Sequence, residues 1–161
     1  MEMVYPRQPK TDIAGVYLRE AGLPSGGRVV YFPWDIDRAF WEVLCVDHFK
    51  LLRNAVQWAT NEAPPVTVAG PGLLDTTAWR NQDALVIHLV NLTNPMAMKG
   101  PYREFLPVGE QIVKVRLPGS ANPKKIHLLV SGKTPHVQRH GADLAVTVPS
   151  ILDHEVVAID L

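Results

Sequence analysis

The stretch "DALVIHLVNLT", Asp83 to Thr93, decides how this chain is read. Its apolar run has no polar face at helical spacing, and Val86, Ile87 and Val90 are β-branched. A short run of this kind, bounded by turn formers, is a strand covered on both faces and placed inside a sheet. Four further runs share its character: "EQIVKVRLP", "KKIHLLVSG", "ADLAVTVP" and "HEVVAIDL". Gly, Pro, Asn or Ser separates them, and none has helical periodicity. In "VKVRL", Lys114 and Arg116 alternate with Val113, Val115 and Leu117, which predicts a half-exposed strand. The expected fold is mostly β: a C-terminal antiparallel, immunoglobulin-like sandwich of about a hundred residues and five or six strands.

Composition limits the rest. The chain has 161 residues, of which 47% are hydrophobic and 20% charged, the profile of an ordinary globular domain. Sixteen basic and sixteen acidic residues cancel, so no net field draws in nucleic acid or an anionic membrane, and neither partner is expected. No apolar run reaches the roughly 18 residues of a membrane span. "MEMVYPRQPK" lacks a signal-peptide layout, so a cytoplasmic location is expected. One cysteine, Cys45, forbids an internal disulfide and reads as a small buried hydrophobe.

Upstream of "NEAPP" the pattern changes, dividing the chain into residues 1–63 and 64–161. "AGVYLRE" and "RVVYFP" read as strands joined by the turn-rich "AGLPSGG", as a hairpin or as neighbours. Pro33 cannot donate to a ladder and is expected to end the second strand. "DHFKLLRNAVQWAT" is the one clear helix. Asp47 is its expected N-cap, and Phe49, Leu52, Val56 and Ala59 are its expected apolar face. Asn61 and the double proline should stop it. Two strands and one helix can hardly close a core alone, so this α/β segment should dock on the sandwich or belong to a larger α/β domain. Exposed apolar surface left by such a cut would promote association with another copy.

The segment "GGRVVYFPWDIDRAFWE", followed by "HFKLLRNAVQWA", resembles the end of the beta-galactosidase trimerisation domain, whose fold is of the glutamine-amidotransferase-like α/β kind. The downstream part, ending "TVPSILDHEVVAIDL", looks like the small β-sandwich that closes many such glycosidases. Together the two matches run from about Ala14 onward. The resemblance implies a non-catalytic accessory portion of a glycoside-hydrolase-like protein, with the catalytic carboxylates on an upstream barrel. It also implies an oligomer or an upstream catalytic domain as partner. No Gly-x-Cys-x-Gly nucleophile elbow is present.

The candidate site residues are weighed against scaffold roles. Trp34, Asp35, Asp37, Arg38 and Trp41 crowd one short stretch. Tryptophan faces stack on sugars, and paired carboxylates roughly 5 Å apart, or 6.5–9.5 Å in inverting enzymes, hydrolyse glycosides. Neighbouring carboxylates on one loop seldom face a substrate from opposite sides. The expected roles are therefore structural: Asp35 or Asp37 capping turn amides, Arg38 pairing with either, and the tryptophans covering the strand end. A ligand or partner surface remains the alternative. No catalytic residue, cofactor or metal site is assigned.

His136 and His140, four apart in "HVQRH", are too far apart on a strand to share a metal ion and read as exposed strand residues. His88 reads as a hydrogen-bonded core histidine, while His154 and His48 read as surface residues. "NLT" fits the glycosylation pattern by chance. The long loop Thr93–Glu110, with Pro95, Met96, Met98, Tyr102 and Phe105, is expected to pack against the helical segment or another subunit, ahead of binding a ligand. A carbohydrate-binding module is the competing class, for which the sandwich region offers Trp79, Tyr102 and Phe105, none in an alternating strand pattern.

Overall fold

A computed structural model describes residues 12–20, 22, 26–43, 45–93, 104–119 and 121–161. Among these residues there are ten strands, all paired antiparallel, and two helices. Residues 1–64 and 65–161 form two compact units.

In the second unit, eight strands form the expected β-sandwich. One sheet has the order β4 (Leu74–Arg80), β5 (Ala84–Asn91), β10 (His154–Asp160), β7 (Lys125–Leu128). The other has the order β3 (Val66–Ala69), β6 (Gln111–Arg116), β9 (Asp143–Val148), β8 (His136–His140). The inward residues of both sheets meet in one buried cluster: Ile87 and Leu89, Val113 and Val115, Leu128, Leu144, Val146 and Val148, Val157 and Ile159. β6 follows its predicted alternation, with Val113 and Val115 buried and Lys114 and Arg116 exposed. β5 lies inside its sheet, flanked by β4 and β10.

The sequence-based reading anticipated fewer strands. β3 follows a double proline and spans only four residues, and β4 reads "LDTTAWR" with little apolar alternation. Both are edge strands, and edge strands carry weak hydrophobic patterns because one flank has no neighbour.

Three buried polar side chains are each fully engaged. Glu155 accepts the backbone N–H groups of Val130, Ser131 and Val156, which closes the turn that contains Gly132 at φ +68°. Burial pushes its carboxyl pKa up, but the Ser131 side chain and these three amides outweigh that and hold it below the ordinary value. Gln111 Nε2 donates to the carbonyls of Pro71 and Gly109. Asn91 Nδ2 donates to the carbonyls of Leu106 and Leu152, both at 2.8 Å, while its Oδ1 accepts the Thr93 N–H. The amide of the "NLT" pattern is thus buried and committed to the fold.

In the first unit, β1 (Tyr17–Glu20) and β2 (Arg28–Tyr31) form an antiparallel hairpin. Two helices follow, α1 (Ile36–Val43) and α2 (Val46–Thr60). α2 is the expected helix with two corrections. Its N-cap is Cys45, without a side-chain cap bond, whereas Asp47 sits in the first turn and pairs with Lys50 at 3.6 Å. Its packed face is also rotated: His48, Leu51, Leu52, Ala55, Trp58 and Ala59 are partly buried, while Phe49 and Val56 are exposed. Trp58 on this stripe outweighs Val56 in apolar area, so it sets which side turns inward. Asn61 ends the helix as expected, left-handed at φ 53°, with its N–H donating to the Gln57 carbonyl.

Candidate functional site

Helix α1 occupies the stretch in which Asp35 or Asp37 is expected to cap turn amides. Ile36, Ala39 and Phe40 are its buried or half-buried residues, at three- and four-residue spacing. That periodicity spans only two turns and is interleaved with charges, so it hardly shows in the sequence. Asp35 contributes its backbone carbonyl, which accepts the Ala39 N–H at 2.9 Å. Asp37 lies in the first turn, where a carboxylate favours the helix dipole. Arg38 does not pair with either aspartate. It bonds Glu42 at 2.9 Å, one turn along the helix, because side chains four apart on a helix face each other.

The two tryptophans of this stretch differ. Trp34 is 41% exposed, and its indole N–H donates to the Gly15 carbonyl at 2.8 Å. Its ring meets Phe32 and His48 edge to face. It is a strut, and His48 beneath it is half-buried rather than a free surface residue. Trp41, at 66% exposed, points away from the unit's packing.

Arg28, which the sequence did not single out, ties this unit together. Its Nε bonds Glu20 at 2.6 Å, and its Nη1 donates to the Trp58 carbonyl and to Asn61 Oδ1. Its guanidinium also lies 5.2 Å from the Trp58 ring centroid. The one sign available was an arginine amid the apolar "RVVYFP" run.

Beneath β1 and β2, an apolar cavity of about 330 Å³ is lined by Val16, Leu18, Val30, Phe32, Leu51, Asn54, Ala55 and Trp58. None of Trp34, Asp35, Asp37, Arg38 and Trp41 lines it. The opposite hairpin face shows Tyr17 and Tyr31, ring centroids 6.2 Å apart, together with Val29, all exposed. Among the described hydrophobic residues of this unit only Ile36 is fully buried. A hairpin with open apolar surface on one side and a loosely filled cavity on the other is an unfinished layer.

On the sandwich, Trp79 is 68% exposed on the outer face of the β4–β5–β10–β7 sheet. It stands in one row with Val86, Ala158 and His127. The next row holds Thr77, His88 and Val156. His88 Nδ1 and His154 Nε2 lie 3.2 Å apart, with ring planes within 10° and centroids at 5.5 Å. That separation is too wide for face-to-face stacking, so the rings meet edge to edge and one donates to the other. His88 therefore has its hydrogen bond, but on the outer face and not in the core. His154, expected to be wet, is its half-buried partner. His136 and His140 are exposed on β8. Tyr102, with Pro95, Met96 and Met98, lies outside the described residues. Among the described residues, no group of three or more His, Cys, Asp or Glu side chains is placed to hold a metal ion.

No protein-family model matches the chain, and no curated protein matches it. Among solved structures, alpha-L-fucosidase isoenzyme 2 from Paenibacillus thiaminolyticus is similar, with a TM-score of 0.66 over 81% of this chain at 17% identity. The fold is shared with part of a glycoside hydrolase. This chain covers 20% of that protein, so it spans about a fifth of the fucosidase's length. No helix among the described residues is long and apolar enough to cross a membrane.

Proposed function

We propose that this chain is a non-catalytic accessory portion of a glycoside-hydrolase-like protein, resembling the end of a beta-galactosidase trimerisation domain followed by a closing β-sandwich. Its N-terminal unit supports oligomerisation and domain packing, with another copy or an upstream catalytic domain as partner. The observation that carries this reading is the unfinished N-terminal layer, with Tyr17, Val29 and Tyr31 exposed on one hairpin face and Trp41 and Val43 exposed on α1. Surface of this kind marks an interaction site in a soluble protein. The fold shared with an alpha-L-fucosidase supports the glycoside-hydrolase setting.

Sedimentation velocity across a concentration series tests the oligomer. The unmodified chain should self-associate, and Tyr17→Lys combined with Tyr31→Lys should shift it to monomer. A monomer at every concentration, with helicity intact by circular dichroism, overturns self-association. The non-catalytic part is tested with chromogenic galactosides and fucosides, on which no turnover is expected. Hydrolysis that tracks Asp35→Asn or Asp37→Asn refutes it.

A second reading, a carbohydrate-binding sandwich, is favoured by one observation: Trp79 stands exposed on a flat sheet face. It is the only Trp, Tyr or Phe side chain among the described residues of that face, whereas sugar-binding faces usually carry several. Calorimetric titration with oligosaccharides decides it. Saturable binding that Trp79→Ala abolishes would reverse the order of the two readings.

A further inference from the structure

Among its described residues, the sandwich is not closed along one side. β3 and β4 are the edge strands of their respective sheets, and both line the same two cavities, of about 520 and 390 Å³. Val66, Val68, Leu74, Thr76 and Ala78 line the larger cavity together with Gly70, Gly72 and Gln111. The smaller is walled by Leu85, Ile87, Val115 and Leu117 and reaches Arg80 and Arg116. Although Thr76 and Ala78 belong to the inward-facing set of β4, both are exposed, because no described residue of the sandwich fills the space in front of them.

The hydrogen-bond register says what could fill it. The Leu92 N–H donates to the Leu73 carbonyl, and the Asn81 N–H to the Ala84 carbonyl. The odd-numbered residues of β4 therefore spend their backbone groups on β5, because antiparallel pairing alternates residue by residue. The N–H and C=O groups of Leu74, Thr76, Ala78 and Arg80 point to the free edge. The same reasoning holds for β3. The Arg116 N–H donates to the Pro65 carbonyl, so Val66 and Val68 turn their backbone groups outward. The residues whose side chains floor the cleft are thus the same residues whose main-chain donors and acceptors form its rims.

We propose that the β3–β4 cleft is a receptor for an extended segment of a partner polypeptide, aliphatic at alternate residues and acidic opposite Arg80. A row of alternating N–H and C=O groups at strand period is complemented by another polypeptide main chain, and the small inward side chains Thr76 and Ala78 leave room for a partner's alternate residues. Natural sheets blunt free edges with prolines, bulges or inward charges. Within Leu74–Ala78 no residue of the outward-bonding set is charged. The charge at the end of the groove is cationic: Arg80 lines it, and so does Arg116, whose guanidinium is already committed to Asp143 at 3.1 Å. An acidic residue of the incoming strand completes that end. This site lies wholly within the sandwich and does not depend on the N-terminal unit that carries the proposed oligomer contact.

The test uses the full chain and the peptide acetyl-Glu-Thr-Val-Thr-Val-Thr-Val-Lys-amide. Paired antiparallel with β4, it sets its glutamate opposite Arg80 and its valines into the cleft. Amide hydrogen exchange followed by NMR should show the N–H groups of Leu74, Thr76 and Ala78 becoming protected at least tenfold on peptide addition. Those of Asp75 and Thr77, already bonded to β5, should change little. Methylating the amide nitrogens of the first two valines should weaken binding at least tenfold, whereas methylating those of the second and third threonines should not. Ala78→Lys, which fills the groove with a charge, should abolish binding, and Thr76→Pro gives a second variant that removes one rim donor. Three results would overturn the proposal: no protection at those amides, equal binding of both methylated peptides, or protection that rises with protein concentration alone. The last would identify a second copy as the occupant.

Discussion

Arg28 and Asn61 stand 33 positions apart in the sequence and meet at 2.8 Å, guanidinium to side-chain oxygen. The same guanidinium reaches the Trp58 carbonyl, so a cation sits at the C-terminal end of α2 where the helix dipole is negative. Arg28→Ala should destabilise the N-terminal unit by about 1–3 kcal/mol, mainly through the lost carbonyl and Asn61 bonds. The Glu20 pair adds little, because that glutamate is 61% exposed. Arg28→Lys should recover only part of the loss, since a compact ammonium lacks the planar fork whose separate nitrogens reach Glu20, the Trp58 carbonyl and Asn61. Urea titrations monitored by tryptophan fluorescence, to which Trp34, Trp41 and Trp58 of this unit contribute, measure both variants.

Glu155 makes the sandwich sensitive to acid. Its carboxyl is held below its ordinary value of 4.5 in the folded state, so the folded protein binds its proton less readily than the unfolded chain. The stabilisation is therefore complete above about pH 5. It declines as pH falls through the unfolded-state value toward the lower folded one. Glu155→Gln should flatten this part of the pH profile and lower stability at neutral pH, because an amide cannot accept all three N–H groups through two oxygens. Thermal melts between pH 3 and 7 provide the comparison.

Asn91→Asp tests the buried amide. A carboxylate cannot donate to the carbonyls of Leu106 and Leu152, and it would face both of them with a negative charge. A loss of about 2–4 kcal/mol is expected, more than the removal of one ordinary hydrogen bond. Chemical denaturation of the pair measures it directly. The same geometry predicts that enzymatic glycosylation of the folded chain at Asn91 fails, as intact-mass analysis would show.

Gly72 and Gly132 separate backbone conformation from space. Both have positive φ, +87° and +68°. A Cβ at Gly132 meets nothing within 4 Å, whereas one at Gly72 would lie 2.5 Å from Thr93 Oγ1 and 2.6 Å from Val108 Cγ1. Gly132→Ala should cost about 1–2 kcal/mol, the left-handed penalty alone. Gly72→Ala should cost clearly more. Melting temperatures of the two variants, which share one core, give the difference.

The sandwich was legible because its central strands are apolar on both faces or alternate cleanly, as β5 and β6 do. Burial dictates those patterns, and burial is what a hydrophobic sequence records. The edges were not legible. β3 and β4 face open space on one flank, so their sequences carry weak constraints, and the cleft between them could not be inferred. α1 was hidden because its apolar residues Ile36, Ala39 and Phe40 are interleaved with Asp37 and Arg38, which suggested a charged turn. The rotated face of α2 reflects tertiary choice: Phe49 and Trp58 offer competing stripes, and the contact with β2 selects the latter. Arg28 was missed because its partners lie 30 and 33 residues away, beyond the reach of any local motif.

The position of β10 carries a kinetic consequence. It is the last of the eight sandwich strands along the chain, yet it lies in the middle of its sheet, between β5 and β7. His88 and His154, which meet across the β5–β10 pair, are 66 residues apart. Neither β5 nor β7 can find its inner neighbour until nearly the whole sandwich sequence has been synthesised. Pairing over such separations incurs loop-closure entropy before any contact rewards it, which places folding in the millisecond-to-second range typical of β-sandwiches. During that interval the apolar β5, paired with β4 alone, presents one unsatisfied flank, so a nascent chain stalled short of β10 is the species most prone to aggregate.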